Sequence, residues 1–595
     1  MNLRPGALLV LMLHLPAVAA EPRPSSPLAS LLAADWSYHL SRSPTFASIL
    51  GDRRWNDRWD DLSLEALELE NQHDLAFLKK LGPVAKGKLS DTDRLNAELI
   101  ARDHQERIDG HALGADLLPL NPSRGLPEAE GQFPGVQNAG QLGQQLRFQT
   151  LEDYRDWVAR LDGLGTYVDQ TIALLKEGIR RGRVHPKVVL ERIPPQLDAI
   201  IAAAPTATSF YAPFTRMPAS LPEAERTTLA QTAERLIRER VQPAYRRLRE
   251  FLVGTYLPAA PAEVGVGRWP DGERFYAYWV RLYTTTDISA EQAHQLGLSE
   301  VARIRAELEA VKARAGFKGT LGEYFQHLRT DPRYFFKTGD DLLLHTRDLA
   351  KRIDPRLVRL FGTLPRTPYG VEPTPAAMAP DATTGFYYPG ATDGSRAGTY
   401  WVNTYRPETR PRWEMVPLTL HEAVPGHHLQ VALAAEQQDI PAFRRYRYDV
   451  AFGEGWGLYS EGLADELGLV DDPADKAGQL TYEMWRAVRL VVDTGMHVKG
   501  WSRAKAIQYF LENTPRPELD VTNEVDRYIG WPGQALAYKV GQLKLRELRT
   551  RAEKALGSRF DVRAFHDAVL LQGSLPLDVL ERRIDAWISL QQKAR

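Results

Sequence analysis

Residues 421–428 read HEAVPGHH and hold three of the 14 histidines in a chain of 595 residues. Glu422 follows His421 directly. Neutral imidazoles bind zinc, and a carboxylate beside them can accept a proton from a water that the ion has acidified. These eight residues therefore point to zinc-assisted hydrolysis. The familiar helical pattern H-E-x-x-H fails at its fifth position, where Pro425 stands in place of histidine.

The spacing sets a geometric condition. On a regular helix, residues four apart share a face and can chelate one ion. His427 and His428 follow His421 by six and seven positions. At ~1.5 Å rise per residue, seven positions separate the Cα atoms by roughly 10 Å, too far for two ligands on a straight helix. Pro425 and Gly426 are the residue types that break or bulge a helix, and they lie between the histidines. A break at this point is expected to bring His421 together with His427 or, alternatively, His428.

Composition narrows the chemistry. There are no cysteines, which excludes thiol catalysis, disulfides and thiolate ligands, so a metal must be held by nitrogen and oxygen. A net charge of −1, from 75 basic and 76 acidic residues, gives no footprint for nucleic acid and no polybasic membrane patch. Arg4, the apolar run Ala7 to Leu15 and the small residues Val18, Ala19 and Ala20 read as a cleaved secretory leader over 1–20. No later stretch approaches the ~20 apolar residues of a membrane span. With no cysteine to form a lipobox, the mature protein is expected to be periplasmic or secreted, without a stable membrane anchor.

The elements that must position the site are mostly helices. Apolar residues recur at three- and four-residue spacing over 27–115, 150–180, 221–252, 286–335 and 340–362,. Ser289 or Ser299 is a candidate N-cap, and Pro243 should kink its helix. Residues 119–145 read as loop. Between 385 and 404, aromatic and β-branched residues alternate around glycines, which predicts a small hairpin or sheet just ahead of the histidines. After 415 the pattern is helical nearly to the end. The fold class is mainly α. Residues 21–595 form one helical unit, with about residue 260 as the point of any subdivision. No internal repeat is present.

HEAVPGHHLQ, EGWGLYSEGL, DTGMHVKGWS, RYIGWPGQALAYKVG and FHDAVLLQGSLPLDVLERRI together resemble the bacterial family known as domain of unknown function 885. That family is similar to gluzincin zinc peptidases of the thimet-oligopeptidase and angiotensin-converting-enzyme type. The resemblance is densest over 380–590. It implies a large helical metallopeptidase-like fold, a Gly-His pair carrying the second ligand (Gly426-His427, hence His427) and a glutamate ligand on a following helix. Glu454, 27 residues after His427 and flanked by Gly453 and Gly455, matches that glutamate. Glu461, one heptad on, could orient a ligand imidazole.

The expected ligands of Zn2+ are thus His421, His427 and Glu454, with His428 as the alternative. Glu422 is the expected general base, taking a proton from the attacking water and passing it to the leaving amine. His497, Tyr528 and Tyr538 are candidate donors to the developing oxyanion, and Asp493 could orient His497 from one helical turn away. Arg486, Arg489, Arg527 and Lys539 are candidates to receive a substrate carboxylate. The 385–404 segment could hold an extended peptide by strand addition. His39, His73 and His104 lie on charged helical stretches and carry no signal. There is no G-x-S-x-G, P-loop or G-x-G-x-x-G, which disfavours serine and nucleotide chemistry. The substrate expected is a short peptide. Two other readings are a catalytically inactive peptide-binding or scaffolding protein and a zinc hydrolase of a non-peptide amide or ester. The sequence specifies neither exo- or endo-cleavage nor the oligomeric state.

Overall fold

The computed structural model describes residues 26–120 and 136–593, apart from 377, 378, 380, 381, 392, 393 and 395. The leader expected over 1–20, and residues 121–135 of the loop expected over 119–145, lie outside them. The described chain is mainly helical with one three-stranded sheet. None of its helices is long and apolar enough to cross a membrane.

The principal helices begin where side-chain oxygens can answer free backbone N–H groups. Ser26 caps α1 (Pro27–Arg42), Ser63 caps α2 (Leu64–Ala85) and Ser90 caps α3 (Asp91–Leu113). α4 (Leu151–Arg181) opens with a Thr150–Asp153 capping box and stops at Gly182, whose φ of +69° favours glycine,. Ser289 caps α5 (Ala290–Arg314) together with Gln292. Ser299, the other candidate, lies inside α5 and donates its hydroxyl to the Leu296 carbonyl. Residues 223–259 form a helix widened at 237–241, two residues before Pro243, and again at 252–256. The widened turn accommodates the N–H that proline lacks.

The aromatic segment forms the sheet. β1 (Tyr369–Pro373), β2 (Gly385–Tyr388) and β3 (Gly398–Val402) are ordered β1-β3-β2, with β3 parallel to β1 and antiparallel to β2. The remaining principal helices are α6 (Met415–Glu422), α7 (His427–Ala435), α8 (Val450–Glu461), α9 (Pro473–His497), α10 (Glu518–Gly530) and α11 (Ala537–Leu556). All residues of α6 and α8 are buried. Such helices are apolar on every side because neighbours surround them.

Three cores hold these elements. Leu32, Phe77 and Leu99 of α1–α3 share one core with Trp456, Leu548 and Ile584. Trp157, Leu164, Phe210 and Tyr245 form a second, drawn from 120–256 together with Trp59. Ile304, Val488, Val492 and Tyr528 join α5, α9 and α10 in a third. The cores do not divide at residue 260, because α1–α3 pack with the helices that carry the histidines. His104 ties α1–α3 together, its ring nitrogens 2.6 Å from Asp74 and 3.3 Å from Asp35. His73 lies 2.9 Å from the same Asp35. From α3, Asp103 and Asn96 then hold Arg447 and Arg444, in the segment between α7 and α8.

Candidate metal centre

The helix breaks where the sequence predicts. α6 ends at Glu422 and α7 begins at His427. Ala423 and Gly426 have ψ values of −111° and −129°, far from helical. A Cβ on Gly426 would lie 1.9 Å from the His421 carbonyl oxygen, so the tight crossing requires glycine,. The Trp456 indole donates to the Pro425 carbonyl at 2.7 Å, and the His428 N–H to that of Ala423 at 3.0 Å. These bonds fix the crossing against α8.

The break brings three ligand-type atoms together. One atom each of His421, His427 and Glu454 lie within 4.8 Å of one another, and all three residues are buried. Glu454 Oε2 is 3.3 Å from His421 Nε2 and 3.6 Å from His427 Nε2. It is buried, yet accepts no hydrogen bond, so these approaches are misaligned for proton donation. A tetrahedral zinc with bonds of about 2.0–2.2 Å places its ligands roughly 3.3–3.6 Å apart. The donor set and its spacing fit that ion.

The neighbours complete the arrangement. His421 Nδ1 lies 2.8 Å from Glu461 Oε1, which also forms an ion pair with Arg486 at 3.2 Å. The carboxylate fixes the tautomer that leaves Nε2 facing Glu454. Gly457 lets α8 approach, since a Cβ there would lie 2.6 Å from the His421 ring. The glycines that flank Glu454 serve other contacts: Gly453 makes room for Tyr448, and Gly455 for Gly541 of α11. The signal for Gly457 was its position, one turn from both Glu454 and Glu461.

Electrostatics follow burial. Burial pushes the Glu422 carboxyl up to about 7, against the pull of His421. For Glu454 burial acts the same way, but the His427 and His421 imidazoles hold it down at about 2. Burial disfavours a charge on His421, yet the Glu454 and Glu461 carboxylates raise it to about 9. His427 is brought down to about 4 by burial. A buried carboxyl poised near neutrality, next to convergent ligands, is a group that can take and return a proton.

The other sequence candidates divide. His428 is turned to the sheet: its Nδ1 meets the Tyr387 hydroxyl and its Nε2 the Thr367 carbonyl, both at 3.0 Å. It stands outside the cluster. His497 accepts from the Val266 N–H at 3.3 Å and donates to the Tyr528 carbonyl at 3.0 Å, so neither nitrogen faces a substrate oxygen. Asp493 does not orient it, because the acid accepts instead from Tyr276 at 2.5 Å and the Gly533 N–H at 3.1 Å. The Tyr528 hydroxyl donates to Glu524 and accepts from Arg489 and Trp485, which occupies it fully. Tyr538 is the tyrosine at the site, its ring 6.5 Å from the His421 ring and 17° from parallel.

The four cations are all buried. Lys539 is answered by Glu300, Glu483 and Gln542 at 2.7–2.8 Å, so it is a structural charge and no receptor for substrate. Arg527 bonds Glu524 and Gln534. Arg486 pairs with Glu461, and Arg489 with Glu524. β3 is paired on both edges, which leaves strand addition only to the outer edges of β1 and β2.

Comparison with known proteins agrees with this fold. The crystal structure of a protein from Colwellia psychrerythraea, provisionally described as a lipoprotein, superposes with a TM-score of 0.87 at 30% identity, over 95% of this chain and 99% of that one. A similarly described protein of unknown function from Shewanella oneidensis gives a TM-score of 0.71 at 16% identity, over 94% and 99%. Curated proteins give no match. The family described as bacterial protein of unknown function (DUF885) matches residues 44–584, and the chain belongs to that family.

Proposed function

We propose that the chain is a zinc-dependent hydrolase of peptide bonds in short peptides, working outside the cytoplasm. The observation that carries this reading is the buried convergence of His421, His427 and Glu454 with Glu422 beside them. The resemblance to gluzincin peptidases supports the choice of peptide substrate. The leader-like residues 1–20 and the description of the Colwellia psychrerythraea protein as a provisional lipoprotein support a secreted or envelope location.

Zinc, when bound, polarises a water and the scissile carbonyl. The remaining work falls to this chain. His427 would offer a neutral nitrogen and Glu454 an ionised oxygen, and His421 would offer its nitrogen once the proton that Glu454 and Glu461 favour on it is displaced by the ion. Glu461, anchored by Arg486, holds the His421 ring in place. Glu422 accepts the proton of the attacking water and returns it to the leaving amine. Tyr538, beside His421, is the remaining candidate donor to the developing oxyanion.

The test is cleavage of a mixed peptide pool by zinc-loaded protein, followed by mass spectrometry. Wild type should cleave, and Glu422→Gln should retain zinc while losing roughly 10³-fold in rate. Full activity in Glu422→Gln would remove the assigned base. Full activity after exhaustive removal of metal would remove the metal reading.

A further inference from the structure

α9 is buried along its length beside the metal centre, with one exception. From Ala477 to His497 every residue is buried except Trp485, which is partly exposed. The residues against its indole are Tyr482, Arg486, Arg489, Arg516 and Tyr528. Each of the five is 4% exposed or less. Trp485 therefore opens onto a space walled by buried side chains.

That space adjoins the metal centre. Arg489 Cζ is 4.6 Å from the centroid of the Trp485 ring and 4.3 Å from that of Tyr538. The Tyr538 ring in turn lies 6.5 Å from the His421 ring. Tyr538, Glu422, Glu454 and His427 keep 6–9% exposure although the chain around them is buried, so the same wall is open at the metal donors. An extended peptide advances roughly 3.3–3.6 Å per residue, which sets Trp485 within a few residues of the bond to be cut.

The wall also selects what enters. The guanidiniums of Arg486, Arg489 and Arg516 lie over the Trp485 ring, 4.0–4.6 Å from its centroid. Each already has a carboxylate: Glu461 for Arg486, Glu524 for Arg489 and Glu414 for Arg516. An incoming anion would compete with partners already in place. An aromatic ring would not. Its face attracts cations, and it pairs with a second ring. An aliphatic side chain of equal size gains neither.

We infer that Trp485, with the guanidiniums stacked on it, receives an aromatic side chain of the peptide close to the scissile bond. This rests on the hydrolytic reading above. Trp485 chooses the substrate and takes no part in moving protons.

The experiment uses full-length zinc-loaded protein and alanine-based hexapeptides. One position, moved along the peptide, carries Phe, cyclohexylalanine, Glu or Ala. Cyclohexylalanine matches Phe in size but has no π face. Cleavage rates and product masses are read for each peptide. Binding to Glu422→Gln protein is measured by calorimetry, and zinc content by elemental analysis. At one position relative to the cut, Phe should be bound and cleaved about 10-fold better than cyclohexylalanine. Trp485→Leu should bring that ratio close to one, with Trp485→Phe intermediate and zinc content unchanged in both. Equal handling of Phe and cyclohexylalanine by wild type overturns the inference without any variant. So does a preference for Glu over Phe, or a ratio that stays high in Trp485→Leu. If no peptide is cleaved, the hydrolytic reading fails. Calorimetry then still decides: tighter binding of Phe than of cyclohexylalanine upholds aromatic recognition, and no difference overturns it.

Discussion

Two buried charged clusters lie close together in this molecule, and they are built differently. Around Glu483, on α9, every charge is answered: Lys539, Arg303 and Arg546 approach it at 2.6–3.0 Å, and Glu300 takes Lys539 from the other side. Around Glu454, on α8, atoms converge without bonding. Glu454 Oε2, Glu461 Oε2 and His427 Nδ1 are all buried and unsatisfied. Folding tolerates buried charge when partners are complete. Buried polar atoms left without a hydrogen bond call for an explanation, and a bound ion is one. The first cluster holds helices together, and the second brings together the donors that the proposed zinc would take.

The sharpest way to break this contrast is to remove a charge from the satisfied cluster. Lys539→Met leaves Glu483 and Glu300 short of a partner inside the protein and should cost about 3–5 kcal/mol. Chemical denaturation measures it, and zinc content should not change. A loss of zinc with little loss of stability would mean that Lys539 belongs to the site after all.

Acid should attack the same cluster. Burial alone would raise Glu483, but Lys539, Arg546 and Arg303 hold it at about 2, below its ordinary value of 4.5. The unfolded chain therefore binds this proton more readily. The stabilisation is complete above pH 4.5 and is lost as the pH falls toward 2, by roughly 3 kcal/mol in all. Urea unfolding between pH 6 and pH 2 should show this slope, flattened in Glu483→Gln. An unchanged slope in that variant would assign the acid sensitivity to other carboxyls.

A change beside the site should do the reverse. Glu461→Gln keeps the shape but weakens the hold on His421, and should lower zinc affinity by about 10–100-fold, read by competition with a chelator. Unaltered affinity would make Glu461 a partner of Arg486 only.

These contrasts also show how far sequence reasoning reaches. The break at Pro425–Gly426 was legible because proline and glycine act on their own backbone, and the spacing of His421 and His427 demands a break. The alternation of residues 385–404 announced the sheet for the same local reason. Membership in the family and the mainly helical fold followed from motifs and periodicity spread over the chain. Pairings set by tertiary packing were not legible. Lys539 meets Glu300 and Glu483 across long stretches of chain, so it looked like a free cation. His497 and Asp493 are correctly spaced for a helical pair, but the Tyr528 carbonyl and the Tyr276 hydroxyl claim them first. His73 and His104 gave no signal, yet Asp35 and Asp74 gather them into the contact between α1, α2 and α3. His427 and His428 are adjacent in sequence, and only the direction of α7 separates the one facing Glu454 from the one facing the sheet.

That last distinction gives the most direct test of the metal centre. Protein purified without chelators, as wild type, His427→Ala and His428→Ala, should be analysed for zinc per chain. The account predicts one zinc in wild type, close to none in His427→Ala and one in His428→Ala. A wild type without zinc, or a zinc that survives loss of His427 and disappears with His428, would contradict it.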